Sequence, residues 1–254
     1  MRVLAVRSVN SDWNQLITGF RVAGIIGIEN KPQHIINTSG WASKKEIDFS
    51  SKKLSTLTSA TIPSFAFYHL MGYVENLPQI FWPCLPATHI YTLDLNNNEI
   101  GAAGSGELAK ALPATQVHTL HLGWNQIGAA GSGELAKALP ATQVHTLHLE
   151  GNQIGDAGAR ELAKTLPSTK VHTLHLSVNR IGDAGASELA KALPATQVHT
   201  LHLRSNQIGG LGAIELAKAL PATCMHTLDL QYNKIEKATQ QLLLEQYPHI
   251  RWKF

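Results

Sequence analysis

One phrase governs what this chain can fold into: V-H-T-L-H-L-x-x-N-Q-I-G. It begins at Val117 and again at Val144, Val171 and Val198, with Arg180 in place of the Gln in the third of these. Looser copies begin at Ile90 and Met225, and each start lies 27 residues after the last. A fixed period of that length marks a solenoid, in which each unit contacts only its neighbours. A chain of 254 residues is long for one compact core, but a stack has no such ceiling. Charged residues make up only 15% of it, so each unit must bury much of its surface against the next.

The unit starting at Val117 shows how. Leu120 and Leu122 alternate with Thr119 and His121, the period-two pattern of a half-buried strand. The Leu pair is expected inside the coil, with Thr119 and His121 outside. Asn125 and an inward Ile127 follow, then Gly128 and Gly131, which permit a tight bend and a close helix approach. Residues 132–139 are predicted as a short helix with Leu135, Ala136 and Leu139 on one face. Glu134 and Lys137 pair on its wet side, and Pro140 stops it. Asp156 and Asp183 are placed to cap the helices of their own units. Strands spaced ~4.8 Å apart cannot stack straight beside helices spaced ~8–10 Å apart, so the sheet must line the concave side. The recurring Asn98, Asn125, Asn152, Asn179, Asn206 and Asn233 fall where the chain turns and backbone groups lack sheet partners. They are expected to be structural.

Residues 90–236 carry the regular units. In 237–254 the Gly is lost, a longer helix is expected over 237–246, and Ile250 and Trp252 should fold back over the open end as a C-terminal cap. At the other end, Ile47 and Phe49 match the inward Leu pair, making 42–89 a degenerate first repeat and N-terminal cap. The next clear strand, at Leu93, lies 46 residues beyond Ile47, more than one period. An added helix is favoured there over a worn repeat with Phe65 and Phe67 as its inward pair. The aromatic residues Phe65, Phe67, Tyr68, Tyr73, Phe81 and Trp82 are assigned to the core of this cap. Residues 1–41 hold apolar runs at 3–6 and 20–28, expected to form a hairpin or irregular wrap over the first repeat.

The pattern V-x-x-L-x-L-x-x-N-x-I-x-x-x-G-x-x-x-L-A-x-x-L across 90–236 resembles a leucine-rich repeat of the ribonuclease-inhibitor-like subtype, and 42–57 match it weakly. The resemblance implies an α/β solenoid, a horseshoe with a parallel concave sheet and convex helices. The H-T-L-H-L and G-A-x-E-L-A-K-A-L-P wording is similar to repeats in virulence effectors that intracellular bacterial pathogens inject into host cells. It implies a non-enzymatic scaffold that binds a host protein through its concave face. It does not imply ribonuclease inhibition, because inhibitors of that kind are Cys-rich and alternate two repeat lengths. Some effectors of this style carry a ubiquitin-ligase domain with a catalytic Cys, but neither Cys84 nor Cys224 has a separate domain around it. Related repeats also build an activator of a small GTPase, so a docking regulator of a GTPase or ubiquitin pathway is the alternative.

Identical slots in successive units face identical environments, so the slots that vary are the informative ones. The pair after each strand reads Asn96-Asn97, Gly123-Trp124, Glu150-Gly151, Ser177-Val178, Arg204-Ser205 and Gln231-Tyr232. The slot after the Asn reads Glu99, Gln126, Gln153, Arg180, Gln207 and Lys234. Trp124, Tyr232 and Arg204 are residue types that anchor interfaces. With Asn96, Glu150 and Val178 they form the candidate edge of a partner site. The concave part comprises His121, His148, His175 and His202, with Asp94 and Asp229 in the same slot at the two ends. A second row, His118, His145, His172, His199 and His226, lies three residues earlier.

Rungs ~4.8 Å apart should not all be charged at once. His121 and His202, beside the Asp residues, are expected to protonate first, with His148 and His175 lagging. The ladder admits three readings: inert histidines copied by duplication, a strip whose charge rises below about pH 6.5, or a metal bound by two rungs with Glu150 nearby. The third suffers from the lack of a tetrahedral pocket on an open sheet.

The remaining expectations are exclusions. A net charge of +3 is too small to argue for nucleic acid. No apolar run reaches the ~18 residues of a membrane span, and no signal peptide follows Arg2 and Arg7. Two cysteines suggest neither a disulfide framework nor a zinc site, which fits a reducing compartment. Phosphate loops, nucleophile elbows and H-E-x-x-H are lacking. The expectation is a monomeric binding protein with no catalytic residues, metal or cofactor. It would reside in cytoplasm or be delivered to a host cytosol without a cleavable signal peptide.

Overall fold

The computed structural model describes residues 91–254, together with two upstream strands, Glu46–Phe49 (β1) and His69–Gly72 (β2). Six repeat strands follow: Thr92–Asp94 (β3), Thr119–His121 (β4), Thr146–His148 (β5), Thr173–His175 (β6), Thr200–His202 (β7) and Thr227–Asp229 (β8). A last strand, Arg251–Lys253 (β9), completes one parallel sheet in strict sequence order. The repeat helices are Gly101–Ala111 (α1), Gly128–Ala138 (α2), Gly155–Thr165 (α3), Asp183–Ala192 (α4) and Gly210–Ala219 (α5), with Lys237–Gln246 (α6) at the end. This is the solenoid expected from the period.

The alternation decides which residues are core. In β4, Leu120 is fully buried between the half-buried Thr119 and His121. Leu122, Ile127, Leu135, Ala136 and Leu139 join it, and the same positions are buried in the following repeats. Strands register Leu on Leu and His on His, as in Leu120↔Leu147 and His121↔His148. A slip of one residue would turn every Leu to solvent, so burial itself holds the register. On the convex side Glu134 and Lys137 pair at 2.6 Å in an exposed position, where solvent screening leaves such a pair little effect on stability.

Four expectations need correction. Helix α2 starts at Gly128, four residues before Ser132, and its α-helical part ends at Ala138. Residues Leu139–Ala141 form a 3-10 turn, with Pro140 near its start where a missing N–H costs nothing. The 46-residue interval after Ile47 holds a strand, β2, so the worn-repeat alternative describes it better than the favoured added helix. Register Ile47↔Leu70 and Leu70↔Leu93 divides it into two steps of 23 residues. Phe65, Phe67 and the other cap aromatics lie outside the described residues, as do 1–41 and Cys84. Helix α6, at 10 residues, is no longer than its neighbours. Ile250 and Trp252 do return to the stack, as part of β9 and the segment leading into it, and the Trp252 indole N–H donates to the Tyr247 carbonyl at 3.0 Å.

The fourth correction concerns Asp156 and Asp183. Neither bonds within its own helix; each caps the next one. Asp156 Oδ1 accepts the N–H groups of Gly182 (2.7 Å) and Gly185 (2.9 Å) at the start of α4. Asp183 does the same for Gly209 (2.6 Å) and Gly212 (3.0 Å) at α5. Where the preceding repeat has Ala instead, the equivalent Gly128 takes φ +65° and donates to the Asn152 carbonyl. With the carboxylate present, Gly182 is extended. Asp156→Ala is expected to cost about 1–2 kcal/mol, the value of a lost cap. The measurement is a lower urea midpoint, matched by Asp183→Ala and absent for an exposed control such as Gln143→Ala.

Candidate functional site

Beyond each strand the ladder runs on: Leu122 N–H reaches the His148 carbonyl at 2.9 Å and Trp124 N–H the Glu150 carbonyl at 2.8 Å. The Asn amide then redirects the chain. Asn152, fully buried, donates from Nδ2 to the Leu122 and Leu149 carbonyls (2.7 and 3.0 Å). Its Oδ1 accepts the N–H groups of Asn125 (2.9 Å) and Ile127 (3.3 Å). The Asn ladder is therefore structural, as expected, and it stitches each repeat to the one before.

That turn drives the residue before the Asn into the left-handed region. Asn97, Trp124, Gly151, Val178, Ser205 and Tyr232 all have φ between 55° and 69°. Glu99, Gln126, Gln153 and Arg180, after the Asn, share it. Such a backbone costs a side-chain-bearing residue roughly 1–2 kcal/mol, more for a β-branched one. Val178→Asn is therefore expected to stabilise the protein by about 1 kcal/mol, seen as a melting temperature raised by about 2–4 °C. An unchanged or lower melting point would show that Val178 packs well enough to offset its strain.

Of this column, Trp124 (53% exposed), Val178 (40%) and Tyr232 (71%) present apolar surface to solvent. Trp124 does not stand free. A Cβ at Gly151 would come within 2.5 Å of the indole Cδ2, so the ring lies on the bare Gly151 backbone of the next repeat. Arg204 Cζ sits 4.6 Å from the centre of the Tyr232 ring, stacking two of the expected anchors on each other. Between them Trp124, Gln126, Gly151, Gln153, Val178, Arg180, Ser205, Asn206 and Gln207 line an open depression. Gly151 and Arg180 were not singled out as site residues by the sequence. The signal was the variable slot itself, but Gly151 offers no side chain to notice, and its role depends on the indole beside it.

On the concave side, the rings of His121, His148, His175 and His202 stack with centroids 4.1, 4.0 and 4.2 Å apart. This is tighter than the strands, because the rings lean into face contact. The His118 row is looser, at 5.1 to 5.6 Å. Asp94 and Asp229 sit in register at the two ends, with Asp229 Oδ2 3.5 Å from His202 Nδ1 and 3.8 Å from Lys253 Nζ.

Burial, then the neighbouring His148 and His202, push His175 down to about 4. His145 in the outer row is also lowered, by burial first and then by His118 and His172. His148, grouped with His175 by the sequence, differs from it: Glu150 Oε2 lies 3.7 Å from its Nδ1. Burial opposes the charge on Glu150, but the facing His148 outweighs it and holds that carboxyl below the usual range. The carboxylate reaches back over Gly123, where a Cβ would meet Oε1 at 2.9 Å. Among the described residues, no group of three or more His, Cys, Asp or Glu side chains is arranged to hold a metal, and no helix is long and apolar enough to cross a membrane.

The Leucine Rich repeat family profile matches five segments, 87–109, 115–136, 142–163, 168–190 and 196–217, in phase with β3 to β7. The chain is a leucine-rich-repeat protein. Leucine-rich repeats are in general scaffolds for binding other proteins rather than enzymes. No curated protein sequence matches it. Among solved structures, an internalin from Listeria monocytogenes is similar, with 15% identity and a TM-score of 0.43 over 77% of this chain. The actin-binding site 2 of leiomodin-1 is similar over 38% of this chain, with 21% identity and a TM-score of 0.35. This chain spans 52% and 62% of the lengths of those two.

Proposed function

We propose that this leucine-rich-repeat protein is a non-enzymatic scaffold that binds a partner protein through its concave histidine face and the C-terminal edge of its sheet. The observation that carries this is Trp124. A large aromatic ring is held half-exposed on a strained backbone, seated on a glycine that leaves room for it. Solvent-exposed indoles on rigid supports are typical binding anchors. Val178, Arg204 and Tyr232 extend the same edge, and Asp94, Asn96, His121, His148, Glu150, His175, His202 and Asp229 line the face beside it. The wording of the repeats, similar to pathogen effectors of the ribonuclease-inhibitor-like subtype, supports a host protein as partner and a host cytosol as the place of action. The protein acts as a monomer in this reading, since each repeat already has its neighbours.

The test compares proteins captured from host-cell extract by the wild type and by a Trp124→Ala/Arg204→Glu variant. At least one abundant partner should be lost by the variant. Gly151→Ala, which lifts the indole without removing it, should weaken the same partner. Identical capture by all three would count against this surface.

A further inference from the structure

The edge depression has a chemistry of its own. Its floor is apolar, formed by the Trp124 indole, the Gly151 backbone and Val178. Amides of Gln126, Gln153 and Gln207 rim it, groups that can donate to or accept from a peptide main chain. Arg180 is the one charged residue among its lining. The carboxylate that could have neutralised it, Glu150, is turned the other way, over Gly123 and towards His148.

The cations of the edge also differ from the recurring lysines of the convex helices. Lys110, Lys137, Lys164, Lys191 and Lys218 on the convex helices each pair with a Glu one turn earlier. Arg180 and Arg204 form no ion pair among the described residues. Arg204 lies over Tyr232, and the exposed Lys234 follows Asn233. The slot after the Asn is therefore acidic at Glu99, neutral at Gln126, Gln153 and Gln207, and basic at Arg180 and Lys234. A guanidinium with free donors beside an apolar floor calls for a carboxylate next to an apolar side chain.

We infer that this depression takes an extended acidic segment of the partner protein, with an apolar side chain on the Trp124–Val178 floor and a side-chain carboxylate on Arg180. The inference rests on the scaffold reading above and specifies its partner. Trp124 and the Val178–Arg180 turn are two strands apart, about 10 Å at ~4.8 Å per strand. An extended peptide advances ~3.3 Å per residue and alternates its side chains, so the two side chains, which must share one face, should stand two or four positions apart. The pattern sought is an aromatic or aliphatic residue with an Asp or Glu two or four positions away, in either chain direction.

The experiment is selection of random 12-residue peptides displayed on phage against the immobilised full chain at neutral pH, followed by fluorescence polarisation with the most enriched peptide. Enriched peptides should share the apolar and acidic pair at that spacing. The best should bind at least tenfold more weakly to Trp124→Ala and to Arg180→Glu. Replacing its acidic residue with Lys should restore binding to Arg180→Glu, a gain no unfolding artefact can produce. Enrichment without an acidic residue, equal binding by the variants, or no enrichment would each overturn the inference. The scaffold reading is judged apart. Peptides insensitive to Arg180→Glu but weakened by His148→Ala would leave it standing on the concave face. The partner capture described above remains its own test.

Discussion

Asn152→Ala is expected to lower the unfolding free energy by about 3–5 kcal/mol, more than any single truncation on the surface of the stack. One side chain bonds backbone groups of two repeats: the Leu122, Leu149 and Glu150 carbonyls and the Asn125 and Ile127 N–H groups. The Leu149 carbonyl keeps Asn179 Nδ2 and the Glu150 carbonyl keeps the Trp124 N–H, but the Leu122 carbonyl and the two N–H groups are left bare, at about 1–3 kcal/mol each in a dry interior, reduced where the chain relaxes or water enters. Asn233 provides the comparison. It makes the same kind of bonds to Leu203, Leu230 and Ile208, but it is only half-buried next to the last repeat. Asn233→Ala should therefore cost about 1–2 kcal/mol, since water can take over. Urea titrations followed by circular dichroism measure both. Equal losses at the two positions would mean that burial is not what makes the ladder costly to break.

Acidification is the second large effect. His175 titrates at about 4 in the folded protein, against an ordinary value of 6.5. Between these values the unfolded chain binds a proton that the folded one refuses. Stability from this rung is therefore complete above pH 6.5 and is lost as pH falls towards 4. A shift of that size corresponds to about 3 kcal/mol if undamped, and solvent screening at a half-buried rung reduces it to about 1–2 kcal/mol. The groups that face His175 are His148 and His202 on either side, His121 beyond, and the Glu150 carboxylate, whose attraction offsets only part of the loss. His175→Gln should flatten the stability profile between pH 6.5 and 4, while the His175 ring resonances of the wild type stay neutral at pH 5.5. A ring protonated at that pH would sink the argument.

The two effects differ in how visible they were in the amino-acid order. The Asn, Leu and Ile letters recur at a fixed interval, so their environment follows from the period alone. The strand register, the core and the Asn ladder were all legible on that basis. The histidine row was legible as a row, and its crowding was foreseeable from strand spacing. That His175 is pushed furthest down was not, because its burial and the reach of the Glu150 carboxylate depend on how the repeats pack.

Asp156 and Asp183 failed as self-caps because the helix start lies beside the next repeat, whose Gly182 and Gly209 N–H groups are closer. Trp124 was marked as an anchor from its type and slot, but its support on Gly151 and its grouping with Arg180 were not.

The order of amino acids by itself determined the solenoid: a 27-residue period, an inward Leu pair and a buried Asn leave a stack as the way to satisfy every buried backbone group. Tertiary structure decided what happens between unlike neighbours. A contact between repeats joins positions about 27 residues apart, so it depends on a letter in one unit and a different letter in the next. The period fixes only what the units have in common, whereas the cap on α4, the seat of Trp124 and the depressed titration of His175 arise where they differ.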